Sequence, residues 1–195
     1  MAYNNMHAQR LIFDLETAPL VDAPSYLDPP KAPSNYKDAA KIASYVEEKT
    51  AEQLNCCGLD LDLCEIVAIG WMSEMNEACC VVSAATIGEA EMLRQFWHIL
   101  DDRVTVGYNS LGFDLPILLR RSLYLEVPAP AINVDRYRSP HIDLQMRLSF
   151  NGTKPFRSLQ WYCRRFGIQI PVDDPIKGAD IAQLVSEGRW SDVVL

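Results

Sequence analysis

Two acidic side chains stand two positions apart in an otherwise apolar segment near the N-terminus. Residues 10–17 alternate between apolar and other side chains, and this alternation predicts a β-strand with Asp14 and Glu16 on the same face. Two negative charges side by side are unfavourable unless a cation lies between them. Carboxylate oxygens favour Mg²⁺ or Mn²⁺ over zinc. The simpler alternative is an edge strand whose polar face is only solvated.

A third carboxylate lies where a predicted strand leads into a predicted helix. Residues 104–109 form the strand, which ends in a loop with Asn109, and a helix follows over residues 114–125. Its first residue, Asp114, has the position of a helix cap, and capping alone is a sufficient explanation for a single aspartate. In combination with the first pair of acids, it indicates a site built from several carboxylates.

The elements around these residues predict an α/β domain. Apolar runs over Glu65–Met72 and Ala78–Ser83, separated by residues 73–77, predict a hairpin that continues the first strand as an antiparallel meander. Residues 88–100 combine acids in the first turn with apolar residues at helical spacing, which predicts a crossover helix. The predicted order is therefore β-β-β-α-β-α.

An insertion is predicted after the first strand, over residues 18–57. Five prolines between residues 18 and 36 exclude a regular helix or a central strand and predict a long loop. Apolar residues at helical spacing then predict a helix from Lys37 to Leu54. The insertion is thus expected to be a loop followed by one helix.

The last part of the chain is predicted to be mainly helical. A loop rich in Gly and Asn over residues 148–154 precedes a predicted helix over Arg157–Phe166 that ends at Gly167. A further helix is predicted over residues 179–187, ending at Gly188.

Both acidic motifs resemble those of a known enzyme family. Phe13-Asp14-Leu15-Glu16-Thr17 resembles motif I of the DEDD 3′–5′ exonucleases, and the stretch from Asn109 to Asp114 resembles their motif II. More narrowly, the chain is similar to the predicted 3′–5′ exonucleases related to the proofreading domain of family B DNA polymerases. The resemblance covers nearly the whole chain. Further matching stretches are Asn35–Asp38, Lys41–Ile42, Glu48–Lys49, His141–Leu144, Ser158–Leu159 and residues 178–188.

The resemblance implies an RNase H-like fold, in which helices flank both faces of a mixed five-stranded sheet. It also implies a 3′–5′ exonuclease that hydrolyses phosphodiester bonds at DNA 3′ ends with two ions of Mg²⁺ or Mn²⁺, in replication or repair. By the same resemblance, Asp14 would bridge the two ions, Glu16 would help to hold the ion of the nucleophile, and Asp114 would hold the other ion, directly or through water.

Three further residues of the motifs are implied to contact nucleic acid. Thr17 and Asn109 are the candidates to touch the terminal nucleotide. Phe113 packs either near that nucleotide or in the core, and its position in the sequence leaves both alternatives open. The expected partner is the 3′ end of single-stranded DNA; RNA stays open, and no protein partner is indicated.

The sequence departs from the family pattern in its last part. The family carries a fourth acid in a Tyr-x-x-x-Asp or His-x-x-x-Asp motif, and no such motif occurs after residue 141. The expected explanation is truncation before the helix that carries this motif; a natural short homologue with a damaged site is the alternative. Either form is predicted to bind one metal ion and turn over poorly, and the second hypothesis is a non-catalytic nucleic-acid-binding or interaction module. Asp143, Asp180 and Asp192 are not assigned as the missing ligand, and a structural or capping role is expected for Asp143.

Length and composition fit one globular domain over residues 1–195. Hydrophobic residues make up 49% of the chain and charged residues 23%, which excludes wholesale disorder. No apolar run approaches the ~20 residues of a membrane span. The N-terminus lacks the basic and apolar pattern of a secretory signal, so a cytoplasmic location without membrane contact is expected.

The net charge of −8 does not exclude a nucleic-acid partner, because the charge is unevenly distributed. Residues 1–135 carry 9 Lys and Arg against 20 Asp and Glu, whereas residues 136–195 carry 9 against 6. This asymmetry allows a basic face on an acidic protein. The residues that form either a phosphate track or an ordinary solvated surface are Arg136, Arg138, Arg147, Lys154, Arg157, Arg164, Arg165 and Lys177.

Structural roles are expected for several other residues. Trp161 and Tyr162 could stack on bases, but their position on a helix favours the core. His141 is a lone histidine near Asp143, within one of the matching stretches, and is expected to be structural. The six cysteines form no C-x-x-C pair, and without an export signal they are expected to be reduced and mostly buried.

Overall fold

A computed structural model describes residues 9–74, 76–170 and 178–193 of the chain. Within these ranges the strands are β1 (Arg10–Pro19), β2 (Cys64–Ser73), β3 (Asn76–Ser83), β4 (Val104–Gly107) and β5 (Ile142–Asp143). They form one sheet in the spatial order β3-β2-β1-β4-β5. β1 pairs antiparallel with β2 and parallel with β4, and β4 pairs parallel with β5. The expected mixed five-stranded sheet is confirmed, with β1 at its centre.

Helices flank this sheet. In the described ranges they are α1 (Ala39–Cys57), α2 (Ala84–Ile87), α3 (Glu89–Leu100), α4 (Asp114–Tyr124), α5 (Leu144–Leu148), α6 (Leu159–Phe166), α7 (Ile181–Ser186) and α8 (Trp190–Val193), with 3₁₀ turns at Ala23–Tyr26 and Gly178–Asp180. None of these described helices has the length and apolar character needed to cross a membrane. The predicted crossover helix and the helix that begins at Asp114 are confirmed, each to within one residue at either end.

One face of β1 carries the main hydrophobic core. Leu11, Phe13 and Leu15 are buried in it, as the two-residue period of the strand predicts. Residues of α3 and α4 cover this face, and the ring centroids of Phe96 and Phe13 lie 5.2 Å apart. Because successive side chains of a strand alternate, burial of this set directs the even-numbered residues of β1 to the opposite face.

The opposite face of the sheet is covered only in part. Ala18 forms a small buried cluster there with Ile181 and Leu184 of α7, so helices lie on both faces, as expected. Toward the start of β1 the same face is open, and Ile12 is 40% exposed. Asp14 lies between the covered part and the open part.

The insertion after β1 is confirmed as a loop followed by a helix, with corrected boundaries. The strand continues to Pro19, two residues beyond the prediction, and the proline-rich loop contains the first 3₁₀ turn. α1 begins after Asp38, whose side chain accepts a hydrogen bond from the Ala40 N–H at 2.9 Å. It ends at Cys57, its one buried residue, so only the C-terminal end of α1 lies deep in the fold.

Several other boundaries differ from the predictions. β2 and β3 form the predicted hairpin, but their pairing reaches Ser73 and Asn76, which shortens the predicted loop; Met75 lies outside the described residues. β4 ends before Asn109, because Asn109 has a left-handed backbone with φ 62°. The sequence predicts neither β5 nor α5, and the predicted helix over residues 179–187 is shorter, as α7.

α6 does not belong to the core. It contains no buried residue and Trp161 is 38% exposed, so the expected core position of Trp161 and Tyr162 is wrong. Helical spacing shows which side chains share a face, but it carries no information on whether another element covers that face.

The cysteines are less buried than predicted. All six are free thiols, but only Cys57 and Cys64 are buried, so the expectation of mostly buried cysteines is wrong. Burial raises the pKa of the Cys64 thiol to about 12, which leaves it protonated and unreactive near neutral pH. The exposed ones are Cys56, Cys79 and Cys80.

Candidate active site

β1 presents Asp14 and Glu16 on the face opposite the main core. The residues of β2 that pair with them are Gly70 and Ala68. These small residues border a space of about 160 Å³ beside the two acids. The register shifts between Glu16 and Thr17, where β2 contains one extra residue. Such bulges redirect the side chains next to them and are frequent beside active sites.

The loop between β4 and α4 brings the third carboxylate to the same place. The carbonyl of Asn109 accepts hydrogen bonds from the N–H groups of Gly112 and Phe113, at 2.9 and 3.0 Å, which closes a tight turn. Asp114 is the first residue of α4 and is only 5% exposed. Phe113 occupies the cap position instead, so capping does not explain Asp114. Because β4 lies directly beside β1 and parallel to it, its end delivers this loop next to the carboxylates of β1.

All six site residues predicted from the sequence line one cavity of about 560 Å³. They are the carboxylates Asp14, Glu16 and Asp114 and the candidate nucleotide contacts Thr17, Asn109 and Phe113. Phe113 also packs against the main core, as one of the two alternatives predicts, and its contact with a nucleotide stays a prediction. The other walls of the cavity, which include Tyr108, Leu59 and Ala182, are not predicted from the sequence, because nothing in the spacing of these residues marks them.

The environment of this cavity opposes ionisation of two of the carboxyl groups. Burial raises the pKa of Asp114 to about 7, and the negative charge of Asp14 adds to the effect. Burial also raises the pKa of Asp14, although its side chain reaches solvent, while a hydrogen bond from the Leu15 backbone acts in the opposite direction. Carboxyl groups held together against their own repulsion would be stabilised by a bound cation.

The donor chemistry of the three carboxylates fits Mg²⁺ or Mn²⁺. All offer oxygen ligands, which these hard cations prefer. Across residues 9–74, 76–170 and 178–193, however, no three His, Cys, Asp or Glu side chains are arranged so that they could hold one ion. As described, the three carboxylates border the cavity without being arranged to share one ion.

Thr17 connects β1 to a wall formed by the insertion. Its hydroxyl donates a hydrogen bond of 2.5 Å to the carbonyl of Gly58. Leu59, the next residue, is 73% exposed and lines the cavity. Because the proton of the Thr17 hydroxyl is used within the protein, only its oxygen lone pairs remain to accept a bond from a nucleotide.

A basic segment, residues 136–166, adjoins the cavity. It contains seven Lys and Arg residues and one acid, Asp143. The guanidinium of Arg157 lies 5.4 Å from the ring centroid of Trp161, and the Tyr108 hydroxyl donates to the Arg157 carbonyl, which ties the segment to the cavity wall. Its exposed aromatic residues are Tyr137, Phe150, Phe156, Trp161 and Phe166.

The remaining polar residues singled out from the sequence have structural contacts. His141 Nδ1 accepts a hydrogen bond of 3.1 Å from the Thr105 N–H, and burial lowers the pKa of this histidine, so its expected structural role is confirmed. Asp192 forms an exposed ion pair with Arg189 at 2.6 Å. Lys177, part of the predicted basic track, lies outside the described residues.

The absence of a side chain at Gly112 leaves room for the Asn109 amide. A Cβ atom at Gly112 would lie 2.7 Å from Asn109 Oδ1, so Gly112→Ala must displace this amide. On the expectation that Asn109 touches a terminal nucleotide, Gly112→Ala should raise KM for a nucleic-acid substrate about twofold to tenfold, the value of one lost hydrogen bond. The melting temperature of the Gly112→Ala variant should change little. In an Asn109→Ala background, Gly112→Ala should not raise KM further. An equal rise of KM in both backgrounds would contradict an effect that acts through the Asn109 side chain.

Comparison with protein families identifies the relatives of this chain. The family described as a predicted 3′–5′ exonuclease related to the exonuclease domain of PolB matches residues 59–194, which is 136 of the 195 residues. The chain belongs to this family. The part of the chain that matches the exonuclease family contains Asn109, Phe113 and Asp114, whereas Asp14 and Glu16 precede that part. No curated protein sequence matches the chain.

A solved structure supports the fold of this exonuclease-family chain. The family B DNA polymerase from the hyperthermophilic archaeon Pyrobaculum calidifontis matches 94% of the chain with a TM-score of 0.58 and 19% sequence identity. The fold is RNase H-like, in agreement with the mixed sheet between helices. The chain spans 22% of the length of that polymerase.

Proposed function

We propose that the chain is a metal-dependent 3′–5′ exonuclease that hydrolyses phosphodiester bonds at DNA 3′ ends by a two-metal mechanism, in replication or repair. The observation that carries this proposal is the cavity at which carboxylates from β1 and from the start of α4 meet. Family membership supports the class of reaction.

Asp14, Glu16 and Asp114 would hold Mg²⁺ or Mn²⁺ at this cavity. Ions of this kind, when bound, lower the pKa of the attacking water and stabilise the charge on the entering and leaving oxygens. The contribution of the chain is to keep three carboxyl groups in one partly buried place, where burial raises the pKa of Asp14 and of Asp114.

The other residues of the cavity would orient the terminal nucleotide. The Asn109 amide offers donors and an acceptor, and the Thr17 hydroxyl offers an acceptor. Phe113, half-buried beside them, presents an apolar surface to a sugar or base. Holding the scissile phosphate in a fixed position relative to the carboxylates accounts for a large part of the catalysis in such sites.

The basic segment supports a single-stranded substrate. Its seven basic residues favour a phosphate backbone, although the chain as a whole carries a net charge of −8. Exposed aromatic rings such as Trp161 offer a stacking surface, which an unpaired strand can use and a duplex cannot. Single-stranded DNA is therefore the first substrate to test, with RNA of the same sequence as the comparison.

Degradation of a single-stranded oligodeoxynucleotide labelled at its 5′ end tests this function. We expect Mn²⁺ to support slow stepwise shortening from the 3′ end, and we expect both Asp14→Ala and a chelator to prevent it. Asp102→Ala, which removes an exposed carboxylate at a turn, is the matched control and should behave as wild type. Shortening that persists in Asp14→Ala would exclude the proposed site.

A non-catalytic nucleic-acid-binding module is the second candidate. One observation favours it: among the residues that the structure describes, the three carboxylates are not arranged to share one ion. The same assay separates the two functions. Binding of the oligonucleotide without shortening, equal in wild type and Asp14→Ala, supports the module.

A further inference from the structure

Asp143 lies at the end of β5 and is 2% exposed. Its carboxylate accepts hydrogen bonds from four backbone N–H groups. Oδ1 accepts from Asn109 at 3.0 Å, from Gln145 at 2.9 Å and from Met146 at 3.2 Å, and Oδ2 accepts from Leu111 at 3.1 Å. One buried side chain thus joins two separate segments of backbone.

Two of these bonds cap α5, as expected for an aspartate before a helix. The other two bonds come from N–H groups of the loop after β4 and take no part in capping the helix. That loop needs them, because Asn109 has a left-handed backbone and Leu111 is buried. Without Asp143 the two N–H groups would be left in the interior with no acceptor.

The loop held in this way continues directly into α4. The Asn109 carbonyl accepts from the Phe113 N–H at 3.0 Å, and the Ser110 carbonyl accepts from the Leu115 N–H at 2.9 Å. A displacement of the backbone at residues 109–111 therefore moves both the Asn109 amide and the start of the helix that carries Asp114.

We propose that Asp143 is a positioning residue: by fixing the backbone of Asn109 and Leu111, it places Asn109 and Asp114 at the cavity. This inference rests on the proposed function of the cavity. A carboxylate is required rather than an amide, because both oxygens of Asp143 accept hydrogen bonds from backbone N–H groups. An asparagine of the same shape would turn its NH₂ group toward one of these donors.

Asp143→Asn tests the proposal, with Asp38→Asn as the control. Asp38 is also an aspartate that caps a helix, but it caps α1 and does not line the cavity. We expect Asp143→Asn to remain folded, to exchange the amide hydrogens of Asn109 and Leu111 faster than wild type, and to bind Mn²⁺ about tenfold more weakly. For DNA degradation the loss should fall mainly on kcat. Asp38→Asn should change none of these.

Two results would overturn the proposal: unchanged amide exchange at Asn109 and Leu111, or faster exchange there with unchanged Mn²⁺ affinity. The second would leave Asp143 with a purely structural role. If Asp143→Asn does not fold, amide exchange is measured in the wild type alone. The exchange rates of the Asn109 and Leu111 amide hydrogens are then compared with those of the other amides of the loop, and protection no greater than theirs overturns the proposal. Wild type that neither binds Mn²⁺ nor degrades DNA would instead contradict the proposed function, and amide exchange would still decide whether Asp143 holds the loop.

Discussion

Asp114→Asn is expected to make the metal-free protein more stable while it removes most of the activity. The carboxyl group of Asp114 is buried and has a pKa of about 7 in place of 3.8. Between about pH 4 and pH 7, the native state therefore holds a proton that the unfolded chain has lost. The stability of the wild type must fall as the pH rises through this window. Asparagine has no proton to lose, so the variant lacks this fall.

The gain in stability is measured by urea unfolding with a chelator present. At pH 8 we expect Asp114→Asn to exceed wild type by on the order of 2–4 kcal/mol, and the difference should shrink toward pH 5. Asp102→Asn, on an exposed turn, should show no such gain. A variant less stable than wild type at pH 8 would show that the native state favours the ionised carboxylate.

The loss of function is measured on the same samples. Mn²⁺ should raise the melting temperature of wild type and not that of Asp114→Asn, because a ligand stabilises only the state that binds it. DNA degradation should fall at least about 100-fold, since losses of about 10- to 100-fold follow even from residues that only support a metal ligand. An unchanged response to Mn²⁺ would place the metal away from Asp114.

The sequence predicts β1 and the direction of its acidic side chains well, because the strand pattern is regular. Asp14 and Glu16 point away from the core since the apolar residues between them are buried on the other face. The position of Asp114 follows similarly from a strand, a loop and a helix with clear periodicity. Local pattern and tertiary packing agree at these elements, so a prediction from either one succeeds.

The rest of the site depends on contacts between segments distant in sequence. β5 has two residues, too few for any periodicity, and it lies beside β4, where His141 Nδ1 accepts the Thr105 N–H. The wall at Leu59 exists because α1 returns to β1, where Thr17 donates to Gly58. The prediction for α6 fails in the opposite direction. Its helical spacing predicts that its aromatic residues are buried, but the helix contains no buried residue. Each of these features depends on which other segment the residues contact. The spacing of residues within one segment carries no information on that contact.

Removal of one partner from the Glu89–Arg121 pair is expected to be strongly destabilising, although the pair does not line the cavity. The side chains are 9% and 7% exposed, and two hydrogen bonds of 2.6 and 2.7 Å join them. Glu89 Oε1 also accepts from the Ile66 N–H at 2.8 Å, so the pair connects α3, α4 and β2. Sequence alone suggested only a favourable acid in the first turn of α3. We expect Arg121→Ala to lower the free energy of unfolding by about 3–5 kcal/mol, because it leaves a buried carboxylate uncompensated.

Matched variants separate the buried charge from loss of side-chain volume. Arg94→Ala removes an exposed partner of Glu91 on α3, at 3.2 Å, and should cost no more than about 1 kcal/mol. Glu89→Gln combined with Arg121→Met removes both charges but keeps an acceptor for the Ile66 N–H, so it should recover much of the stability lost in Arg121→Ala. Urea unfolding of the three variants and wild type measures these differences. If the double variant were no more stable than Arg121→Ala, packing of the arginine stem, rather than its charge, would hold α4 and therefore Asp114 in place.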